Sequence, residues 1–475
     1  MKQLRLFAAV CAALLAVAAP AAGLEKPKYI FLFIGDGMGA PQVSLAAEFC
    51  GKPQLFDGFE TVGLTATRSL NSYITDSAAA GTALASGSKT NSGMVGRAPD
   101  GTPLPSYVIA AREKGRKVGV VTSVSLDHAT PAAFYANVPS RSNYYDIAVQ
   151  MGRSGIDYLA GGGLLRPAGK KKDRPDAYRL AEENGYTVVR TVDAFDALKR
   201  GAGKTIVISP EPNRTASLPY AIDRRDGVPT LAALTARGIE LLDNPNGFFL
   251  MVEGGMIDWA CHANDAAASI HDVLEMSNAV QAAVDFYNAH PNDTLILVTA
   301  DHETGGMAIG YKTTNYDTFL TNLTHQKMSY AKFDSTYVKG YIANKTPFEA
   351  AMADVKANFG LTLPTDPDAA SAGKLLLTDY EVENLRKAYE RTLEVGAASQ
   401  KEMSQQDYEL YGTYIPFSMA ICHTINHKSG MDHTTYAHTG AMVNIYALGV
   451  GAEKFRGVFD NTEIYHKLAE LTGVQ

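Results

Sequence analysis

Residues 29–34 read Y-I-F-L-F-I and run without a break into G-D-G-M-G. No polar residue alternates through that run, so the strand it predicts must be covered on both faces. Four more runs share the property: 118–122 (V-G-V-V-T), 205–209 (T-I-V-I-S), 248–252 (F-F-L-M-V) and 294–299 (T-L-I-L-V-T). Helical patterns lie between them. One starts at Asn264, read as its N-cap, and sets Ile270, Val273, Leu274, Val280, Val284 and Tyr287 at helical spacing. The expected class is α/β: a three-layer α/β/α sandwich around a mostly parallel central sheet.

Residues 311–430 break the rhythm. They are rich in tyrosine and charge and hold a capped helix (T-D-Y-E at 378–381, then Val382, Leu385, Tyr389 and Leu393) but no such apolar run. Strand character returns at 443–448 (V-N-I-Y-A-L). The expected organisation is a core over 24–310, an inserted cap over 311–430 and a return to the core over 431–475. Tyr316, Tyr330, Tyr337 and Tyr341 are expected first to pack within the cap. Lining an entrance or meeting a partner subunit are the other readings. The K-K-K run at 170–172 reads as a solvated loop.

The first 23 residues stand apart. Lys2 and Arg5, an apolar run from Leu6 to Ala19 and the small residues A-P-A-A-G read as a cleavable export signal. The mature protein is therefore expected in the periplasm or secreted. No other apolar run is long enough for a membrane span. A formal charge of −7 argues against a nucleic-acid partner. Cys50, Cys261 and Cys422 remain after cleavage, too few for a disulfide scaffold.

Sites in such sheets gather where strands end at their carboxyl edge. Here the first strand ends at Asp36, and the 248–252 run ends at Glu253, followed by Asp258 and His262. The 294–299 run leads to Asp301 and His302, and His438 precedes the last strand. Asp258 and His262, spaced i, i+4, would share a helix face, which suits two ligands of one ion. Mixed carboxylate and imidazole donors favour zinc-like ions, whereas carboxylates with a hydroxyl favour magnesium. In T-D-S-A-A-A-G-T-A, Ser77 is either a residue bonded into a helix N-terminus or a nucleophile. No G-x-S-x-G elbow is present to activate it, so a nucleophilic Ser77 would depend on metal ions. Arg141, alone, reads as a surface charge, and a phosphate would want such a fork.

Six stretches together resemble the alkaline phosphatase family: G-D-G-M-G (35–39), T-D-S-A-A-A-G-T-A (75–83), A-T-P-A-A (129–133) with S-R (140–141), V-E-G-G-M-I-D-W-A-C-H (252–262), V-T-A-D-H-E-T-G-G (298–306) and H-T-G (438–440). They stand in the family's order and span nearly the whole mature chain, with 311–430 outside them. The resemblance implies a phosphate monoester hydrolase with two zinc ions and one magnesium ion. It implies that Ser77 is the nucleophile that becomes a phosphoserine. Asp258, His262 and His438 resemble the first zinc site. Asp36, Asp301, His302 and the Ser77 hydroxyl resemble the second. Asp36, Thr130 and Glu253 resemble the magnesium site. Arg141 looks like the phosphate clamp, held by Asp76. A homodimer is expected by analogy.

Two positions depart from the best-known bacterial pattern. His128 stands where Asp is usual, and Trp259 where Lys is usual; other family members carry this His and Trp pair. An imidazole beside the third site could recruit zinc or cobalt there. Thr304 replaces a histidine common after the D-H motif, and Cys261 is read as a packing thiol. The alternatives are a phosphodiesterase, sulfatase or mutase of the same superfamily, or an exported metal- or phosphate-binding protein without turnover. Diesterases typically carry Thr where Ser77 stands, and the modified-residue motif of sulfatases is absent.

Overall fold

The structure is a computed structural model that describes residues 26–396 and 404–474; the export signal expected over 1–23 lies outside them. All six strand-like runs fall in one ten-stranded sheet. Across its centre the order is Val443–Gly449, Thr294–Ala300, Tyr29–Gly35, Phe248–Glu253 and Lys117–Thr122. The last four run parallel, and Val443–Gly449 runs against them. The sheet is mostly parallel, with helices on its faces.

The register positions the chemistry. Ile34 lies opposite Glu253, and Gly35 opposite Ala300. Thr122 also lies opposite Glu253. The chain therefore leaves three neighbouring strands at one level, and Asp36, Glu253 and Asp301 emerge side by side. Side chains alternate between two buried clusters. Phe31, Phe33, Leu250 and Val298 pack with Ile270, Val273 and Val280 on one side. Ile30, Leu32, Ile34, Met251 and Leu297 pack on the other. Each such side chain contributes about 1.5–3 kcal/mol on burial, so the strand ends sit on a rigid base.

Four strands, Thr61–Ala66, Tyr158–Gly161, Thr187–Val189 and Gly457–Asp460, were not legible as apolar runs. They extend the sheet toward its edges. Three are no longer than four residues. In Thr61–Ala66, Val62 and Leu64 face outward, so the strand lacks the two-sided cover that marks the others.

The long helix is Ala266–Ala289, and its cap is Asp265 rather than Asn264. Asp265 Oδ1 accepts the Ala268 N–H at 3.0 Å. Asn264 takes a left-handed turn (φ 49°) and donates to the carbonyls of Cys261 and Thr435, both at 3.0 Å. It ties the D-W-A-C-H helix to the loop that carries His438.

Residues 311–430 are mainly helical, with Phe348–Phe359, Asp379–Val395 and Pro416–Ser429 the longest helices among those described. Thr378 and Glu381 cap Asp379–Val395 reciprocally, as the sequence predicts. Tyr341 is buried, Tyr330 packs edge-on to Tyr414, and Tyr316 is exposed. Pro416–Ser429 reaches the core: Asn426 donates to the Asn264 carbonyl at 2.8 Å. Lys170, Lys171 and Lys172 lie in an exposed loop. Cys50, Cys261 and Cys422 are all free thiols. Among the described residues no helix is long and apolar enough to cross a membrane.

Asp334 gives this region a pH dependence. Burial pushes its carboxyl from 3.8 up to about 7, against a hydrogen bond from Ser418 and the nearby Lys339. A raised acid weakens the fold as it ionises, so the cost is absent below the ordinary carboxylate range and complete above about pH 7. Asp334→Asn is expected to raise stability at pH 8 by on the order of 1 kcal/mol and to change it little at pH 4, as read by thermal melts at both pH values.

Candidate active site

The helix Ser77–Ser86 is fully buried, which its small side chains permit. Its N-cap is Asp76, whose Oδ1 accepts the Ala79 N–H at 3.1 Å and the Gly93 N–H at 3.0 Å. Ser77 is therefore not needed as the cap. Its Oγ is buried and points to His302 Nε2 at 3.2 Å. The positive end of a helix dipole lies behind it.

His302 Nε2 also lies 3.2 Å from Asp301 Oδ2 and 3.4 Å from Asp36 Oδ1. Asp258 and His262 sit on the short helix Met256–His262, as the i, i+4 spacing predicts, with His262 Nε2 3.3 Å from Asp258 Oδ2. His438 Nε2 lies 3.2 Å from His262 Nε2 and 3.5 Å from Asp258 Oδ1. Thr130 donates to Asp36 Oδ2 at 3.4 Å, and Glu253 Oε1 lies 4.0 Å from His128 Nδ1. Arg141 donates to Asp76 Oδ2 at 3.1 Å, and its other arm is 3.1 Å from His128 Nε2. Trp259 stands edge-on to His128, with ring centroids 5.8 Å apart. The residues singled out from sequence thus converge on one place.

Their donors group in three sets. Asp258, His302 and His438 offer ligand atoms within 4.8 Å of one another, as do Asp36, Asp301 and His302, and Asp36, His128 and Glu253. His128 thus joins the third set directly, where the sequence had placed it only nearby. His302 serves two sets.

The electrostatics suit a cation. Asp36, Glu253, Asp258 and Asp301 are all buried. Burial, then Asp301, Asp258 and Glu253, raises Asp36 well above the ordinary carboxylate range. Asp301 is raised by burial and by the Asp258 and Glu253 charges, and Glu253 is pushed up to about 7, chiefly by burial. Asp258 is buried too, but His262, His438 and His302 outweigh that and hold it well below the range. Burial and then Arg141 push His128 down to about 3, leaving it a neutral donor. Asp36 Oδ1, Glu253 Oε1, Asp301 Oδ2 and His128 Nδ1 are buried without any hydrogen-bond partner. Orphaned acceptors of this kind are costly, and divalent cations would satisfy them and offset the repulsion. The residues present fit metal ions.

The family model described as alkaline phosphatase matches residues 27–160 and 167–474. The chain belongs to the alkaline phosphatase family. The match runs through 311–430, beyond the six motifs. Alkaline phosphatase 4 of Bacillus subtilis is 32% identical over 450 residues, which cover 91% of this chain and 86% of that one. Among solved structures, the cold-active alkaline phosphatase of Shewanella sp. is 28% identical with a TM-score of 0.76, covering 94% of this chain and 99% of that one. The Thermus thermophilus enzyme is 27% identical with a TM-score of 0.78, covering 95% and 92%. A variant of the TAB5 alkaline phosphatase with Mg bound in its M3 site is 26% identical with a TM-score of 0.66, covering 95% and 99%. This chain is thus an enzyme of the alkaline phosphatase family, with groups of residues able to bind metal.

Around the ligand residues lie groups that sequence reading missed. His262 Nδ1 lies 2.6 Å from the Tyr436 carbonyl, and His438 Nδ1 2.8 Å from the Thr75 carbonyl. Backbone oxygens carry no sequence signal. Thr122 donates to Glu253 Oε2. Glu303 accepts from Gln42 at 2.8 Å and from Thr439, pinning the His438 loop. Thr122 and Glu303 stood in plain view, but their partners are distant in sequence. Cys261 is buried against Ser269 at 3.2 Å, and burial pushes its thiol up to about 12, in keeping with packing.

Proposed function

We propose that this alkaline phosphatase family member hydrolyses phosphate monoesters through a phosphoserine on Ser77. The observation that carries the reading is the Ser77 hydroxyl: buried, free of capping duty and facing His302 among the unsatisfied carboxylate oxygens. Ser77 Oγ attacks phosphorus, the bond to the leaving alcohol breaks, and the phosphoryl group rests on Ser77. Water then attacks phosphorus, inorganic phosphate leaves, and the Ser77 hydroxyl is restored. Two in-line displacements give overall retention at phosphorus.

Arg141, fixed by Asp76, presents a fork that suits the non-bridging oxygens of a dianion. The helix N-terminus at Ser77 adds positive potential there. Asp258, His262 and His438 would hold one cation; Asp36, Asp301 and His302 a second, beside Ser77; and Asp36, Glu253, Thr130 and His128 a third. Such ions, zinc at the first two and magnesium, zinc or cobalt at the third, would supply Lewis-acid stabilisation of developing charge when bound. The test is phosphate release from p-nitrophenyl phosphate against bis(p-nitrophenyl) phosphate. Monoester turnover far above diester turnover supports the reading; the reverse assigns a diesterase, and cation binding without turnover assigns a binding protein.

Trp259 carries no charge where a lysine would reach phosphate through water. Trp259→Lys is expected to tighten inhibition by inorganic phosphate about fivefold, the ~1 kcal/mol of one solvent-exposed ion pair. A phosphate inhibition constant at or above the wild-type value would refute that role. Export to the periplasm or beyond, and assembly as a homodimer, complete the proposal. Val62, Leu64 and Val458, exposed near one sheet edge, offer an apolar face to a second copy. Cell fractionation and sedimentation of the mature protein test the two points.

A further inference from the structure

Three of the four imidazoles of the site, those of the first two cation sites, anchor their outer nitrogens differently. His262 and His438 use backbone carbonyls, which no side-chain change removes. His302 Nδ1 instead lies 3.2 Å from Thr304 Oγ1. The same hydroxyl lies 2.6 Å from Asp258 Oδ1. A carboxylate only accepts, so the Thr304 O–H donates to Asp258 and its oxygen accepts the His302 Nδ1–H. That tautomer leaves His302 Nε2 bare toward Ser77, Asp36 and Asp301.

Thr304 is completely buried. Its approach also accounts for the first glycine after Asp36. Gly37 has φ 73°, and a Cβ there would stand 2.8 Å from Thr304 Oγ1 and 2.9 Å from Asp258 Cα. Any side chain at 37 would displace the hydroxyl or the helix bearing Asp258.

We propose that Thr304 is a positioning residue that couples two cation sites: one hydroxyl orients Asp258 in the first and His302 in the second. The inference rests on the reading above, in which those residues hold divalent ions. Its consequence is that losing the hydroxyl loosens both sites together, whereas losing a carbonyl-anchored partner would loosen one.

The experiment follows zinc release, without substrate, from zinc-loaded wild type, Thr304→Val and Thr304→Ser into excess chelator, using a metal-sensitive dye. Loss of an outer partner of a ligand typically costs ~10- to 100-fold in metal affinity. Thr304→Val is expected to release zinc from the Asp258 site and the His302 site about 10- to 100-fold faster than wild type, and Thr304→Ser within about threefold of it. Release from Thr304→Val at the wild-type rate, or acceleration at one site alone, overturns the coupling. So does release from Thr304→Ser as fast as from Thr304→Val, since serine keeps the hydroxyl and drops only the methyl. Should valine prevent folding of the metal-free chain, Thr304→Ser decides alone: near-wild-type retention supports the bridge and rapid loss overturns it. A wild type that binds zinc but hydrolyses no monoester overturns the phosphatase mechanism and leaves the coupling to stand on zinc release.

Discussion

Ser77→Ala is expected to lower phosphate release from p-nitrophenyl phosphate by at least ~10³-fold, well inside the ~10⁵ M or more of effective molarity that a positioned internal nucleophile supplies. Cation content and melting temperature should stay close to wild type. The second expectation follows from the local structure. Asp76 supplies the cap, so alanine removes no helix-stabilising bond. Alanine is also the best helix former, and it fits this buried position. His302 loses one contact at 3.2 Å but keeps its neighbours Asp36, Asp301 and Thr304. Activity, metal analysis and a thermal melt on one preparation separate chemistry from folding. A variant that turned over at the wild-type rate would leave Ser77 a bystander and return the site to a binding role.

Removing divalent cations with a chelator is expected to abolish turnover and to lower the melting temperature by roughly 5–10 °C, reversed by adding zinc and magnesium. Each ion present about a thousandfold above its dissociation constant contributes ~4 kcal/mol of folded-state stability. The size of the effect has a structural origin. Buried Asp36, Glu253 and Asp301 each keep an oxygen with no hydrogen-bond partner, and the Asp258 and Glu253 charges, after burial, raise the cost of ionising Asp36 and Asp301. Without cations, those carboxyls are left buried at the end of the central strands with oxygens unsatisfied. An enzyme that kept full activity and its melting temperature through exhaustive chelation would contradict this picture.

The strands that matter most for the site were legible because a parallel sheet covered on both faces leaves long uninterrupted apolar runs. Tyr29–Gly35 and Thr294–Ala300 are buried along their whole length, and both deliver ligands at their ends. The edge strands were hidden by the same logic: Thr61–Ala66 has a solvent face, and the others are too short to show a period. Most of the site was legible as residue types at strand ends, and family resemblance supplied the pairing among them. What stayed hidden are the groups defined by contact alone. Asp265 displaced Asn264 as the cap because a one-residue shift in helix start is invisible to periodicity. Thr304 appeared only as a missing histidine until its hydroxyl was seen between Asp258 and His302.

The strand Val443–Gly449 slots between Thr61–Ala66 and Thr294–Ala300, against their direction, and His438 enters just ahead of it. Its imidazole touches the Thr75 carbonyl, more than three hundred and sixty positions earlier. Synthesis proceeds from the amino end, so the last imidazole is made after nearly everything it must meet. A partly made chain cannot close this centre around an ion. For a polypeptide threaded across a membrane unfolded, loading would wait until the tail has arrived, and the supply that fills it would be the one on the far side.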